Sequence, residues 1–250
     1  MIDKNLLKDA SEFLNTPISI LEKTYNGVLN KYPGYSKWQN VTSKEWEDLK
    51  IDQNDKQSVF NFYKNTPNYI PECIEYHSGM KKKKLTAQYI EILKKYECKE
   101  VVDYGCGIGQ DSIIQAQNNI TATACDIEGI TYDFAKWRFN KYKLNIEALN
   151  IKIDSFPLKK EYDAITCFEV LQHTPDPVSL INNFYTHIRE GGLFITTMRF
   201  NDNYILALDK NKKYQGKMNK IIEKIGFTTI DQIYQWGEGS RAKYLEVYQK

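Results

Sequence analysis

The segment Val101-Val102-Asp103-Tyr104-Gly105-Cys106-Gly107-Ile108-Gly109-Gln110-Asp111-Ser112 restricts this chain more than any other. An apolar run enters a turn with glycine at three alternate positions, and a helix-forming run leaves it. Glycine takes positive φ at no steric cost and lets the backbone approach a neighbour closely. The helix start beyond the turn offers unpaired N–H groups and a partial positive charge. The downstream sequence continues the same alternation. Strands are expected at 99–104, 121–125, 146–151, 163–168 and 193–198, with a turn at Gly191-Gly192 before the last. Helices are expected at 111–118, 131–141 and 177–189. Such alternation predicts an α/β fold with a parallel sheet covered on both faces. A helix over 218–225 ends at Gly226. The runs 227–234 and 244–248 then follow, joined by a turn around Gly237-Glu238-Gly239. No helix separates them, so an antiparallel hairpin is expected at one edge.

Before residue 98 the chain is polar, rich in Tyr, Trp and Lys, and poor in β-branched runs. Helices are expected at 3–14, 17–31, 43–49, 55–65 and 84–96. Thr16-Pro17 reads as a helix cap followed by proline at the first helical position. Pro33-Gly34, Pro67 and Pro71 break the chain into short pieces. With 250 residues, 42% hydrophobic, the protein can bury one good core and carry a smaller appendage. A net charge of +2 argues against the basic footprint of an obligate nucleic-acid binder. The five cysteines are odd in number and never spaced as CxxC, which argues against a disulfide framework or zinc knuckle. Scattered thiols, no apolar leader and no apolar run long enough for a bilayer lead to the expectation of a cytoplasmic protein without a membrane partner.

The spacing of the turn is G-x-G-x-G. Gln110 stands where the dinucleotide fingerprint G-x-G-x-x-G has its last glycine. Asp103, two residues before the first glycine, suits an amino group better than a phosphate. Asp103–Gly109 matches in full the D/E-x-G-x-G-x-G motif of the class I S-adenosylmethionine-dependent methyltransferases, and the chain resembles that family over about residues 84–250. Further motifs occur in the family's order: Asp126 at the end of the second strand, Asp154-Ser155 after the third, FPLKKEYDAITCFEVLQHTPDP, IREGGLFITTM and the terminal hairpin. The resemblance implies a Rossmann-like, doubly wound, seven-stranded sheet with an antiparallel last strand, plus an N-terminal helical cap. Residues 1–83 are expected as the cap that recognises substrate, and 84–250 as the core. It also implies how S-adenosylmethionine is held. Asp103, Gly105, Cys106, Gly107 and Gly109 take the methionine part and Asp126 the ribose. Ile127 flanks the adenine, Asp154 and Ser155 meet its amino group, and Phe168 faces the sulfonium.

His173 follows the fourth strand, where the reacting methyl belongs. It is read as the general base, or else as a structural contact of the Pro-rich turn. Tyr76 and His77 precede the helix expected at 84–96. They are read as lining the site, or else as a surface loop. Lys81–Lys84 reads as a solvated helix start, with phosphate or nucleic-acid contact as its alternative. Glu169 and His173 resemble part of a Glu-Glu-His metal set, but Gln172 replaces the second Glu, and no metal is expected. Tyr25, Tyr32, Tyr35, Trp38, Trp46, Phe60, Phe62, Tyr63 and Tyr69 either line an aromatic lid or simply pack the helices together. Three functions remain open in order of preference: O- or N-methylation of a small-molecule acceptor, methylation of RNA or protein, and a non-methylating use of the cofactor that releases methylthioadenosine. The acceptor and the oligomeric state are not fixed by the sequence.

Overall fold

The computed structural model describes residues 2–27, 37–200, 206–236 and 243–250. Five helices come first: α1 (Lys4–Phe13), α2 (Ile18–Gly27), α3 (Lys37–Asp48), α4 (Lys56–Asn65) and α5 (Tyr69–Ser78). Then α6 (Met80–Lys95) leads into the alternating part. Its elements are β1 (Glu100–Tyr104), α7 (Gln110–Gln117), β2 (Thr121–Ile127), α8 (Ile130–Lys141), β3 (Glu147–Ile151), β4 (Tyr162–Phe168), α9 (Pro177–His187), β5 (Ile188–Thr197), α10 (Met218–Ile225), β6 (Thr228–Trp236) and β7 (Lys243–Gln249).

The seven strands form one sheet in the order β3-β2-β1-β4-β5-β7-β6. The first five are parallel, and β7 runs antiparallel to both β5 and β6. The chain builds outward from β1 to β3, then returns to lay β4 on the other side of β1. The reversal of strand order therefore falls between β1 and β4, and the carboxyl ends of these strands open the crevice where such sheets take ligands. Apolar strand runs explain the burial on both faces. Val102, Ile165 and Phe194 pack with Phe184 of α9 and Ile222 of α10 on one side. Val101, Ala164 and Ile195 pack with Leu85, Tyr89 and Leu93 of α6 on the other. Asp176 caps α9 by accepting the Ser179 N–H at 3.0 Å, with Pro177 at the helix start.

Several elements differ from expectation. Helix α6 starts at Met80 rather than 84, and Lys82 within it is buried at 2% exposure instead of solvated. Helix α5 occupies the stretch around Pro71, so Tyr76 and His77 lie on a helix rather than in a loop. Proline is accommodated because it sits in the first turn, where backbone N–H groups lack helical acceptors anyway. Helix α3 starts at Lys37, six residues earlier than expected. Strand β5 begins at Ile188. Its pairing with β4 jumps from Tyr162↔Ile188 to Ala164↔Leu193, so Arg189–Gly192 bulge out where a simple turn was expected. Tyr32, Tyr35, Pro33-Gly34 and the Gly237-Glu238-Gly239 turn lie outside the described residues, as do the side chains of Tyr25 and Trp38.

Candidate cofactor and acceptor cleft

A cavity of about 680 Å³ opens over the carboxyl ends of β1–β4 and is roofed by α4 and α5. The glycine turn forms its floor. Gly105 and Gly107 line the cavity. Gly105 has φ 75°, and a Cβ there would lie 2.2 Å from Val170. Gly109 plays a different part from the one expected. It does not border the cavity; a Cβ on it would meet the Phe139 ring at 2.5 Å, so it brings α8 close to the turn.

Two acids from strand ends sit beside the turn. Asp103 is 3% exposed and accepts the Ser112 hydroxyl at 2.6 Å. Burial, with the neighbouring Asp111 carboxylate, pushes its carboxyl up to about 7. Asp126 accepts the Gly107 N–H at 2.6 Å and its neighbour's, Ile127, at 2.7 Å. Burial lifts it to about 6 against those two hydrogen bonds. Cys106 and Ile127 complete this floor. Asp154 stands on the rim at φ 57°, with its exposed carboxylate ion-paired to Lys56 of α4, and Ser155 closes the same turn on Lys152.

Sequence reading missed the charge pair behind this floor. Lys82 Nζ lies 2.6 Å from Asp111 Oδ2, both essentially buried, and Tyr89 donates to the other oxygen at 3.0 Å. Burial works to raise Asp111, but Lys82, His77 and Tyr89 together hold the carboxyl below its usual range. The ammonium also sits 4.4 Å over the Phe168 ring, whose residue lines the cavity.

Beyond β4 the wall changes character. Glu169 adopts φ 60°, and a short 3₁₀ turn, Leu171–His173, carries His173 to the cavity. Its Nδ1 is 2.8 Å from the Leu206 carbonyl and 3.0 Å from the Tyr63 hydroxyl of α4. A carbonyl only accepts, so Nδ1 carries the proton and the ring lone pair falls on Nε2. Burial lowers the imidazole to about 4. Tyr76 and His77 also line the cavity. The buried Tyr76 hydroxyl has no hydrogen-bond partner among the described residues, and burial holds His77 near 3, hence neutral. Tyr63, Tyr69 and Phe60 border the same space, together with Glu72, which burial pushes up to about 7, and Arg199. Trp46 and Phe62 instead pack with Val59, Leu206 and Leu208, which is the packing alternative for the aromatic lid. Among the described residues no His, Cys, Asp and Glu group could hold a metal ion.

The model of a methyltransferase domain family matches residues 76–240. A ubiquinone biosynthesis O-methyltransferase from Hydrogenovibrio crunogenus is 28% identical over 158 residues, which are 62% of this chain and 66% of that protein. One from Coxiella burnetii is 29% identical over 165 residues, 64% of this chain and 70% of that protein. The chain thus spans about two thirds of the length of these relatives. Among solved structures, an N-methyltransferase from Bradyrhizobium japonicum in complex with S-adenosyl-L-homocysteine has a TM-score of 0.58 at 14% identity, covering 82% of this chain and 97% of that one. An S-adenosylmethionine-dependent methyltransferase from Clostridium acetobutylicum has a TM-score of 0.55 at 13% identity, covering 67% and 91%. At these identities the likeness is one of fold.

Proposed function

The chain belongs to the methyltransferase domain family, that of the class I S-adenosylmethionine-dependent enzymes, and we propose that it methylates a hydroxyl of a small organic molecule. The cleft fits the cofactor on its own chemistry. Asp103 is a buried acid and Asp126 a half-buried one, each with lone pairs left over, and they complement an ammonium group and a ribose diol. The turn at Gly105–Gly107 lets the backbone approach a ligand. In this reading Asp103, Gly105, Cys106 and Gly107 hold the amino-acid end and Asp126 the ribose. Ile127, Asp154 and Ser155 border the adenine, and Phe168 lies beside the sulfonium. Gly109 supports the turn from behind. When bound, the cofactor supplies a methyl group already activated on sulfur.

The protein's own work is positioning, water exclusion and one proton transfer. Alignment of nucleophile and methyl is worth roughly 7–11 kcal/mol. A hydroxyl must also lose its proton, and the observation that carries the hydroxyl reading is the tether of His173. Leu206 fixes the proton on Nδ1 and leaves the acceptor lone pair on Nε2, and burial keeps the imidazole neutral and so able to take a proton beside the cavity. A positioned base contributes typically 10²–10⁴-fold. Tyr76, whose buried hydroxyl has no hydrogen-bond partner among the described residues, and the neutral His77 line the same space. Residues 1–83 act as the cap that selects the acceptor, with Tyr63, Tyr69 and Phe60 as its cavity-facing aromatics. The O-methyltransferase names of the relatives support the same class of acceptor. Methylation of RNA or protein fits a roofed cavity less well, and a non-methylating use leaves the tethered base without a task.

The test uses methyl-labelled S-adenosylmethionine and a set of phenols and catechols, with S-adenosylhomocysteine as the readout. His173→Gln should lower turnover about 10²-fold or more with cofactor affinity nearly intact. Equal turnover in His173→Gln would reduce His173 to a structural part.

A further inference from the structure

Helix α1 lies wholly before the segment the family model matches and contributes nothing to the cavity wall. It nevertheless holds an acid against the back of the glycine turn. Asp9 is 2% exposed and receives three partners from α8 and its end: Arg138 Nε at 3.1 Å, Lys141 Nζ at 2.8 Å and the Tyr142 hydroxyl at 2.6 Å. Burial works against the Asp9 charge, but these partners together hold its carboxyl below the usual range. The rest of the Arg138 fork points the other way. Nη1 donates to the Ile108 carbonyl at 2.8 Å and Nη2 to the Gln110 side chain at 2.5 Å. Ile108 is the residue between the second and third glycines, and Gln110 opens α7. One buried guanidinium therefore ties α1 to the cofactor turn. Apolar contacts run alongside, with Leu6 and Ala10 of α1 in one cluster with Ile108, Ile70, Ile74 and Phe134.

We propose that Asp9 and Arg138 are positioning residues for the cofactor turn, so that docking of α1 and binding of S-adenosylmethionine are energetically coupled. The planar fork fixes the Ile108 carbonyl, and with it the rotation of the Ile108–Gly109 peptide, one residue beyond Gly107, whose N–H in the same turn reaches Asp126. Asp9 orients the fork from a helix that sees no ligand. The coupling is reciprocal by thermodynamic necessity: what Asp9 gives to cofactor affinity, cofactor must return to the docking of α1.

The inference rests on the cofactor lying at this turn, and the experiment separates the two. S-adenosylhomocysteine is titrated calorimetrically into the full chain as wild type, Asp9→Asn, Asp9→Glu and Arg138→Lys. Asp9→Asn and Arg138→Lys should weaken binding about tenfold or more and raise the cofactor KM alike, with kcat at saturating cofactor within about twofold. Asp9→Glu should recover part of the loss. Because Asp9→Asn leaves a buried guanidinium without its counter-charge and so puts folding itself at risk, hydrogen exchange on the wild type gives a second reading. Saturating S-adenosylhomocysteine should slow exchange of the α1 amides at Leu6–Phe13 several-fold, although none of them borders the cavity. If the wild type fails to bind S-adenosylhomocysteine, the cofactor site itself is misplaced. If it binds, but α1 exchange is unchanged or the folded variants bind equally well, the coupling is overturned.

Discussion

At the scale of single residues, the cleft is governed by groups whose charge burial resists. Asp103 and Asp126 titrate near 7 and 6 rather than at their ordinary value of 3.8. Between pH 4 and 7 the folded protein therefore holds protons that the unfolded chain has released. For these two groups stability is greatest at low pH and falls as pH rises through that window. A bound cation reverses the preference by stabilising the carboxylates. Binding of S-adenosylmethionine at pH 6.5 should thus release protons, and its affinity should rise between pH 6 and 8. Calorimetry in buffers of different ionisation enthalpy reads both, and net proton uptake would contradict the assignment. Both acids were legible in the sequence because each ends a strand within a recognisable motif. Lys82 was not. Four consecutive lysines look alike, and only the helical phase with Leu85 and Tyr89 marks which one faces inward. Its acceptor, Asp111, is contributed by a different helix, which no local pattern announces.

At the scale of elements, α4 forms part of the cavity's roof. Lys56 pairs with Asp154 at the cavity rim, and Lys64 pairs with Glu128 after β2. The close approach depends on Gly129, which has φ 150° and would place a Cβ 2.2 Å from the Lys64 carbonyl oxygen. Gly129→Ala should therefore cost about 1–3 kcal/mol in stability and lift α4 from the rim. A lower Tm together with faster S-adenosylhomocysteine dissociation in stopped-flow is the expected outcome. A lower Tm with an unchanged dissociation rate would mean that α4 does not gate the site. Helix α5 illustrates why such roofs are hard to read. Pro67 and Pro71 mark breaks in a local reading, yet proline in a first turn is compatible with a helix, and the cavity-facing Tyr76 comes with it. By contrast, β1, α7, β2 and α8 follow the alternation of apolar and amphipathic runs to within a few residues.

At the scale of the molecule, the sheet order follows from rules that need little tertiary information. Parallel crossovers, a return beside β1 and a terminal hairpin leave few arrangements, and β3-β2-β1-β4-β5-β7-β6 is the one found. The position of the cap relative to the sheet depends on long-range contacts. Asp9 to Arg138 and Tyr63 to His173 join residues more than a hundred positions apart. For that reason the sheet was readable in the sequence and the contacts that seat the cap on it were not. In the function we propose, one cofactor lies across the ends of β1, β2 and β4, with Asp126 on its ribose. The direct measurement is calorimetric titration of S-adenosylhomocysteine into the wild type and Asp126→Ala. Loss of a hydrogen bond to a charged group, worth about 1.5–3 kcal/mol, should weaken binding by tenfold or more in the variant. Equal affinity in the two proteins would contradict the placement.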